Sequence, residues 1–192
     1  MKRHRIILGI SGASGVPIAI EILRFLQELK QIETHLVVSA GATLTIQQET
    51  SMQLHEITSL ADDVHDNSNI GAAIASGSFK TLGMMVVPCS MKTLAGIAHG
   101  YSENLLLRAA DVCLKEKRRL VLAVRECPFS AIHLKNMLTL SEMGAVILPP
   151  VLTYYNNPRS VADMTSHIAG KILDLFDFDL PAFKRWGPNE TA

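Results

Sequence analysis

Hydroxyls, glycines and isolated charges, rather than clustered acids or cysteines, carry the chemical interest of this sequence. The stretch "GISGASG" (9–15) sets Ser11 and Ser14 among three glycines, directly behind the apolar run "RIILGI" and ahead of a helical pattern. A strand, a small-residue loop and a helix start in that order aim free N–H groups and the positive end of a helix dipole at one point, which suits a phosphate or another anion. The same residues also suit a tight strand-to-helix turn, with Pro17 near the first helical position. Dinucleotide binding would call for an acidic residue at the end of the second strand, but "THLVVSAG" ends on Ser39. A triphosphate loop would call for Gly-Lys-Ser/Thr, but Gly15 is followed by Val16 and Pro17. What remains is a hydroxyl-lined pocket for a monophosphate, with Ser11, Ser14 and Ser39 as donors.

Other stretches add single groups. "PCSMKT" places Ser90 and Thr93 at a helix start, where their hydroxyls either cap N–H groups or meet a phosphate. "VREC" ends an apolar strand on Arg125 and Glu126. Arg125 offers the planar fork that grips phosphate and Glu126 a group for proton transfer or charge stabilisation; otherwise both are solvated charges at a strand end. "TYYNNP" precedes the last helix, so the Tyr155 phenol and the Lys171 ammonium could close over an anion, or the tyrosine simply packs in its loop. The basic run "LKEKRR" (114–119) reads mainly as complementation of a helix C-terminus. Trp186 either covers a planar ligand or anchors the tail.

Several chemistries are disfavoured. Cys89, Cys113 and Cys127 have no C-x-x-C spacing and are odd in number, which argues against a disulfide framework or a zinc site and for a reducing cytoplasm. His55, Asp62, Asp63, His65 and Asp66 lie in a polar stretch with no helical pair and third ligand, so no metal is expected. His133 reads as structural, Cys89 as a buried inert thiol, and no Ser-His-Asp set can be placed. Eighteen basic residues balance eighteen acidic ones, so no field favours nucleic acid or an anionic membrane. The apolar run at the N-terminus is too short for a signal peptide, and Glu21 and Arg24 interrupt the first helical pattern.

These groups need elements to hold them. The 192 residues suit one domain, 1–192, with a tail from about 181. Apolar runs 5–10, 34–39, "GMMVVPC", "LVLAV" and "AVILPP" read as strands. Helical patterns cover 16–30, about 42–50, a stretch beginning near Ser90, about 104–117, 131–143 and about 161–175, and residues 55–80 read mostly as loop. Continuous apolar strands alternating with helices predict a doubly wound parallel α/β sheet, a three-layer sandwich whose ligands bind beyond the carboxyl ends of the strands. Apolar residues make up 48% of the chain, which implies an unusually large core or surface buried between subunits.

Taken together, "GISGASG", "PCSMKTLAGIAHG", the segment 104–150 and "YYNNP" resemble the UbiX/Pad flavoprotein family, the flavin prenyltransferases, over nearly the whole chain. The resemblance implies a flavodoxin-like (Rossmann-like) homo-oligomer, typically a dodecamer, that binds FMN between subunits. It implies transfer of a dimethylallyl group from dimethylallyl phosphate to N5 and then C6 of reduced FMN without a metal, giving prenylated FMN for a partner UbiD-type decarboxylase. Gly12, Ala13, Ser14, Ser39, Ser90, Met91, Lys92, Thr93 and Arg125 match the family's FMN contacts. Ser14, Lys115, Arg125, Tyr155 and Lys171 match its prenyl-phosphate contacts, with Glu126 beside the reacting centre and Ser14 and Glu126 as the catalytic pair. Cys127 departs from the small or apolar residue expected there. The alternative, from another enzyme class, is an FMN-dependent aromatic (phenolic) acid decarboxylase, or its non-catalytic flavin-binding subunit.

Overall fold

A computed structural model of the chain describes residues 3–181 and 183–187; the remainder of the expected tail lies outside the described residues. Six parallel strands form one sheet: β1 (His4–Ile10), β2 (Ile32–Val38), β3 (Asp63–His65), β4 (Gly83–Cys89), β5 (Arg119–Val124) and β6 (Val146–Ile147), in the spatial order β3-β2-β1-β4-β5-β6. The chain winds outward from β1 to β3, crosses back to lie beside β1 as β4, and winds outward again to β6. The switch point therefore falls between β1 and β4, where the loops that follow these two strands diverge to opposite faces and leave a crevice.

Side-chain alternation fills both faces of the sheet. Ile6, Leu8 and Ile10 of β1 face one core with Ile22, Leu23 and Leu26 of α1 (Val16–Glu28) and Ile172 and Leu173 of α7 (Val161–Asp174). Ile7 faces the other core with Met84 and Val86 of β4, Leu94 of α4 (Met91–Ala98), Leu105 and Leu106 of α5 (Leu105–Lys115) and Leu140 of α6 (Ala131–Glu142). Burial on both sides is why the strands read as unbroken apolar runs rather than alternating ones. The expected doubly wound, three-layer sandwich is the observed architecture.

The stretch expected to be mostly loop departs from that reading. It contains a short helix, α3 (Leu54–Thr58), the edge strand β3 and a single 3-10 turn (Ala73–Ala75). β3 is held to β2 by polar groups. The Thr34 N–H donates to Asp62 Oδ2 (2.8 Å), the Asp62 N–H donates to the Thr34 carbonyl (3.1 Å), and His65 stacks on His35. An edge strand held this way carries no apolar run to announce it. At the opposite edge β6 shrinks to two residues, because Pro149 and Pro150 follow closely and have no N–H to continue a ladder.

Candidate active site

The switch point is assembled from the ends of β1, β2, β4 and β5. Gly15, at φ +119°, turns the chain out of β1 and starts α1, with Pro17 in the first turn. Ser11 is fully buried; its Oγ donates to the Pro88 carbonyl (2.9 Å) and accepts from the Ser90 N–H (2.8 Å). Ser11 therefore staples the loops after β1 and β4 together and is not the free phosphate donor its place in the glycine loop suggested. A second displacement affects the start of α1. The Glu49 carboxylate, at the end of α2 (Ala40–Glu49), accepts from the Gly15 and Val16 N–H groups, at 2.9 Å each, so this helix start already holds an anion from the chain itself.

Two cavities flank the crevice and share Gly12 and Ser90. One, of about 330 Å³, is lined by Gly12, Ser39, Gly41, Asn67, Ser90, Lys92, Thr93 and Asn104 among others. The N-termini of α2 and α4 border it through their caps: Ser39 Oγ accepts from the Ala42 N–H (3.2 Å) and Ser90 Oγ from the Thr93 N–H (3.3 Å). Both serines cap helices and line a cavity at once, so capping does not remove Ser90 from the cavity wall. The other cavity, of about 390 Å³, is lined by Gly12, Ala13, Ser14, Leu44, Glu49, Ser90, Met91, Arg125 and Glu126 among others. Arg125 and Glu126 reach this one space because β5 ends at Val124, and strand alternation no longer separates adjacent side chains. The Glu126 carboxylate accepts from the Cys127 N–H (3.0 Å).

Gly12 has a steric role. A Cβ there would sit 2.9–3.0 Å from the backbone of Gly41, so the loops after β1 and β2 meet at a distance only glycine permits. All the positions matched to FMN contacts (Gly12, Ala13, Ser14, Ser39, Ser90, Met91, Lys92, Thr93 and Arg125) line one or both cavities, and Glu126 joins them.

The positions matched only to prenyl phosphate do not. α5 runs from the carboxyl edge back toward the start of β5, which puts Lys115 at the amino edge, ion-paired with Glu116. Lys171 lies near the end of α7 and pairs with Asp174 (3.2 Å). The Tyr155 hydroxyl lies 3.4 Å from His167 Nε2, and the Tyr155 ring packs edge-on against Trp186 at 5.0 Å. Trp186 thus holds the tail against the 151–160 loop. Within one chain these three residues and the crevice are separate.

The readings of the remaining groups as structural agree with their contacts. His133 Nδ1 accepts from the Ser130 N–H (3.2 Å) in a capping box. Burial pushes the Cys113 thiol up to about 12 and raises that of Cys89 further still. In the basic run, Arg118 donates to the carbonyls of Phe79 and Gly77, and Arg119 to that of Leu175, so both tie down neighbouring segments. Cavity-lining residues missed from sequence include Leu44 and Glu49 on α2, Asn67 just past β3, and Asn104. Asn67 accepts from the Leu105 N–H through its carbonyl (2.8 Å) and from the Leu106 N–H through Oδ1 (3.0 Å), which seats the start of α5 beside the cavity. Nothing in the helical pattern of 42–50 marked Glu49, whose contact is with a distant helix start.

A sheet of this topology, with hydroxyls and helix N-termini gathered at its switch point, is a mononucleotide-binding arrangement. The chain belongs to the Flavoprotein family, which matches it over residues 1–176. More particularly, it is 53% identical over 182 residues, 95% of this chain and 96% of the relative, to a probable UbiX-like flavin prenyltransferase of Sedimentibacter hydroxybenzoicus. Among solved structures it is similar to AnUbiX (PadA1) in complex with FMN and dimethylallyl pyrophosphate, with TM-score 0.95, 47% identity, and coverage of 98% of this chain and 100% of that one. It is also similar to a dodecameric FMN-dependent UbiX-like decarboxylase from Escherichia coli O157:H7, with TM-score 0.94, 47% identity, and coverage of 96% and 100%.

Proposed function

We propose that this chain is a flavin prenyltransferase that joins the dimethylallyl group of dimethylallyl phosphate to N5 and then C6 of reduced FMN. The observation that carries this reading is the pair of cavities meeting at Gly12 and Ser90, one rich in phosphate donors and the other holding Ser14, Arg125 and Glu126. FMN fits the donor set: one phosphate for the helix N-termini with Ser39, Lys92 and Thr93, and no acidic residue of the kind a dinucleotide ribose requires. The glycine contact between the loops keeps backbone, rather than side chain, at the junction.

Reduced FMN, when bound, supplies a nucleophilic nitrogen, and the residues of the chain supply position and charge. Arg125 steadies the leaving phosphate through its planar fork, which favours departure of the allylic group. Ser14 donates to that phosphate or to the flavin, and Glu126 holds or accepts a proton as the new bonds form. Leu44 and Met91 give the same cavity apolar surface for a dimethylallyl group to pack against. Lys115, Tyr155 and Lys171 complete the anion site from a neighbouring copy in a homododecamer. Exposed apolar side chains on α6 and along 151–155 support such assembly. The product then passes to a UbiD-type decarboxylase.

The test is to incubate the FMN-loaded protein, reduced without oxygen, with dimethylallyl phosphate and to weigh the extracted flavin by mass spectrometry. A gain of one dimethylallyl unit is expected. Unchanged flavin, with carbon dioxide released from a phenolic acid in the absence of any second protein, would replace this reading by that of a decarboxylase.

A further inference from the structure

A second cluster of chemically capable groups lies outside both cavities, on the strands β2 and β3. His35 pairs in register with Asp63, and Val37 with His65, so Asp63 and His65, two apart on one strand, share a face with His35 across the ladder. His35 Nδ1 lies 3.0 Å from His65 Nε2 and 3.4 Å from Asp63 Oδ2, and His65 Nε2 lies 3.5 Å from that same oxygen. Three ligand atoms about 2.0–2.1 Å from a tetrahedral zinc ion stand about 3.3 Å from one another. The observed triangle has those dimensions.

We propose that His35, His65 and Asp63 form a binding site for a divalent transition ion of the zinc class, clipping the edge strand β3 to β2 and leaving one coordination position to water. The surroundings fit that role. Glu33 Oε1, 3.1 Å from His35 Nε2, accepts a hydrogen bond from the N–H there, which keeps the proton on Nε2 and leaves the Nδ1 lone pair facing His65 and Asp63. Glu33 is itself held by Arg5 (3.3 Å), whose guanidinium lies 4.3 Å from the centre of the Phe79 ring, and that ring packs edge-on against His35. Asp63 is more than half exposed, which gives an ion a route in. The sequence pattern conceals the site because His35 comes from a different strand.

The proposal is tested on FMN-loaded protein, stripped with a chelator and desalted, by calorimetric titration with zinc chloride. One ion per chain is expected, with micromolar or tighter affinity and a rise in the unfolding midpoint. His65→Asn should abolish both effects while flavin retention is unchanged, and Glu33→Gln should weaken binding about 10–100-fold. If His65→Asn fails to fold, Asp63→Asn, at an exposed carboxylate, carries the same expectation of lost binding. No saturable binding to the wild type, or undiminished stoichiometry in both variants, would overturn the site and leave an imidazole–imidazole hydrogen bond in its place.

Discussion

At the residue scale, the division of labour in the crevice rests on Arg125 and Glu126 sharing a cavity although they are adjacent in sequence. Glu126→Gln keeps the shape and a hydrogen-bonding side chain but removes the proton-accepting carboxylate. Flavin should stay bound while single-turnover prenylation slows about a hundredfold or more; wild-type turnover would take Glu126 out of the chemistry. His167 offers a separate titration. It is buried, Tyr155 reaches only its Nε2, its Nδ1 has no partner among the described residues, and burial holds its pKa below 6.5. Below pH 6.5 the unfolded chain takes up a proton that the folded chain refuses, so this contribution to stability is complete above that pH and declines as the medium becomes more acidic. His167→Phe, set between the rings of Tyr155 and Phe183, should flatten the fall in unfolding midpoint between neutral and mildly acidic pH. An equally steep fall in the variant would refute the assignment.

At the scale of elements, the site depends on how the loops after β1 and β4 are tied. Ser11→Ala leaves the Ser90 N–H and the Pro88 carbonyl without their buried partner, at a cost of about 1–3 kcal/mol. Chemical denaturation should show this as a lower midpoint together with faster flavin loss, and an unchanged midpoint would mean that the staple contributes nothing. The same loops show what sequence makes legible. Continuous apolar runs revealed β1, β2, β4 and β5 with small errors at their ends, because burial on both faces leaves a direct trace in residue type. β3 was invisible because His35, Asp62 and His65 hold it, and polar residues between turns read as loop. The positions that the resemblance matched to FMN contacts all follow a strand directly or lie in the first turn of the helix after it, which is why they line the two cavities. Glu49 was not legible, since nothing in a helical pattern says that its last residue folds back onto the N–H groups of another helix. The resemblance placed Lys115 and Lys171 in one site with Arg125; within one chain, helix direction sends Lys115 to the other edge of the sheet, so that placement calls for a neighbouring copy.

At the scale of the whole molecule, the surplus of apolar residues has two destinations. Most fill the two cores, but Ile132 (68% exposed), Leu134 (54%) and Leu138 (60%) stand out along α6, with Val151 (67%) nearby in sequence on the 151–155 segment. Exposed apolar residues of this number are expected to be covered by another copy. Leu138→Glu should therefore give smaller species in analytical ultracentrifugation, with the circular dichroism of the folded chain preserved and prenylation lost with assembly. A variant that still assembles fully would place the subunit contact elsewhere. Among the described residues no helix is long and apolar enough to cross a membrane. The most direct measurement of where the chemistry happens is a diffraction structure of the protein grown with FMN and dimethylallyl phosphate. Density for the flavin ring beside residues 12–14, Met91 and Arg125, with its phosphate at the start of α4, is the expected result. A flavin bound at the amino edge of the sheet, or a crevice closed by its own side chains, would contradict it.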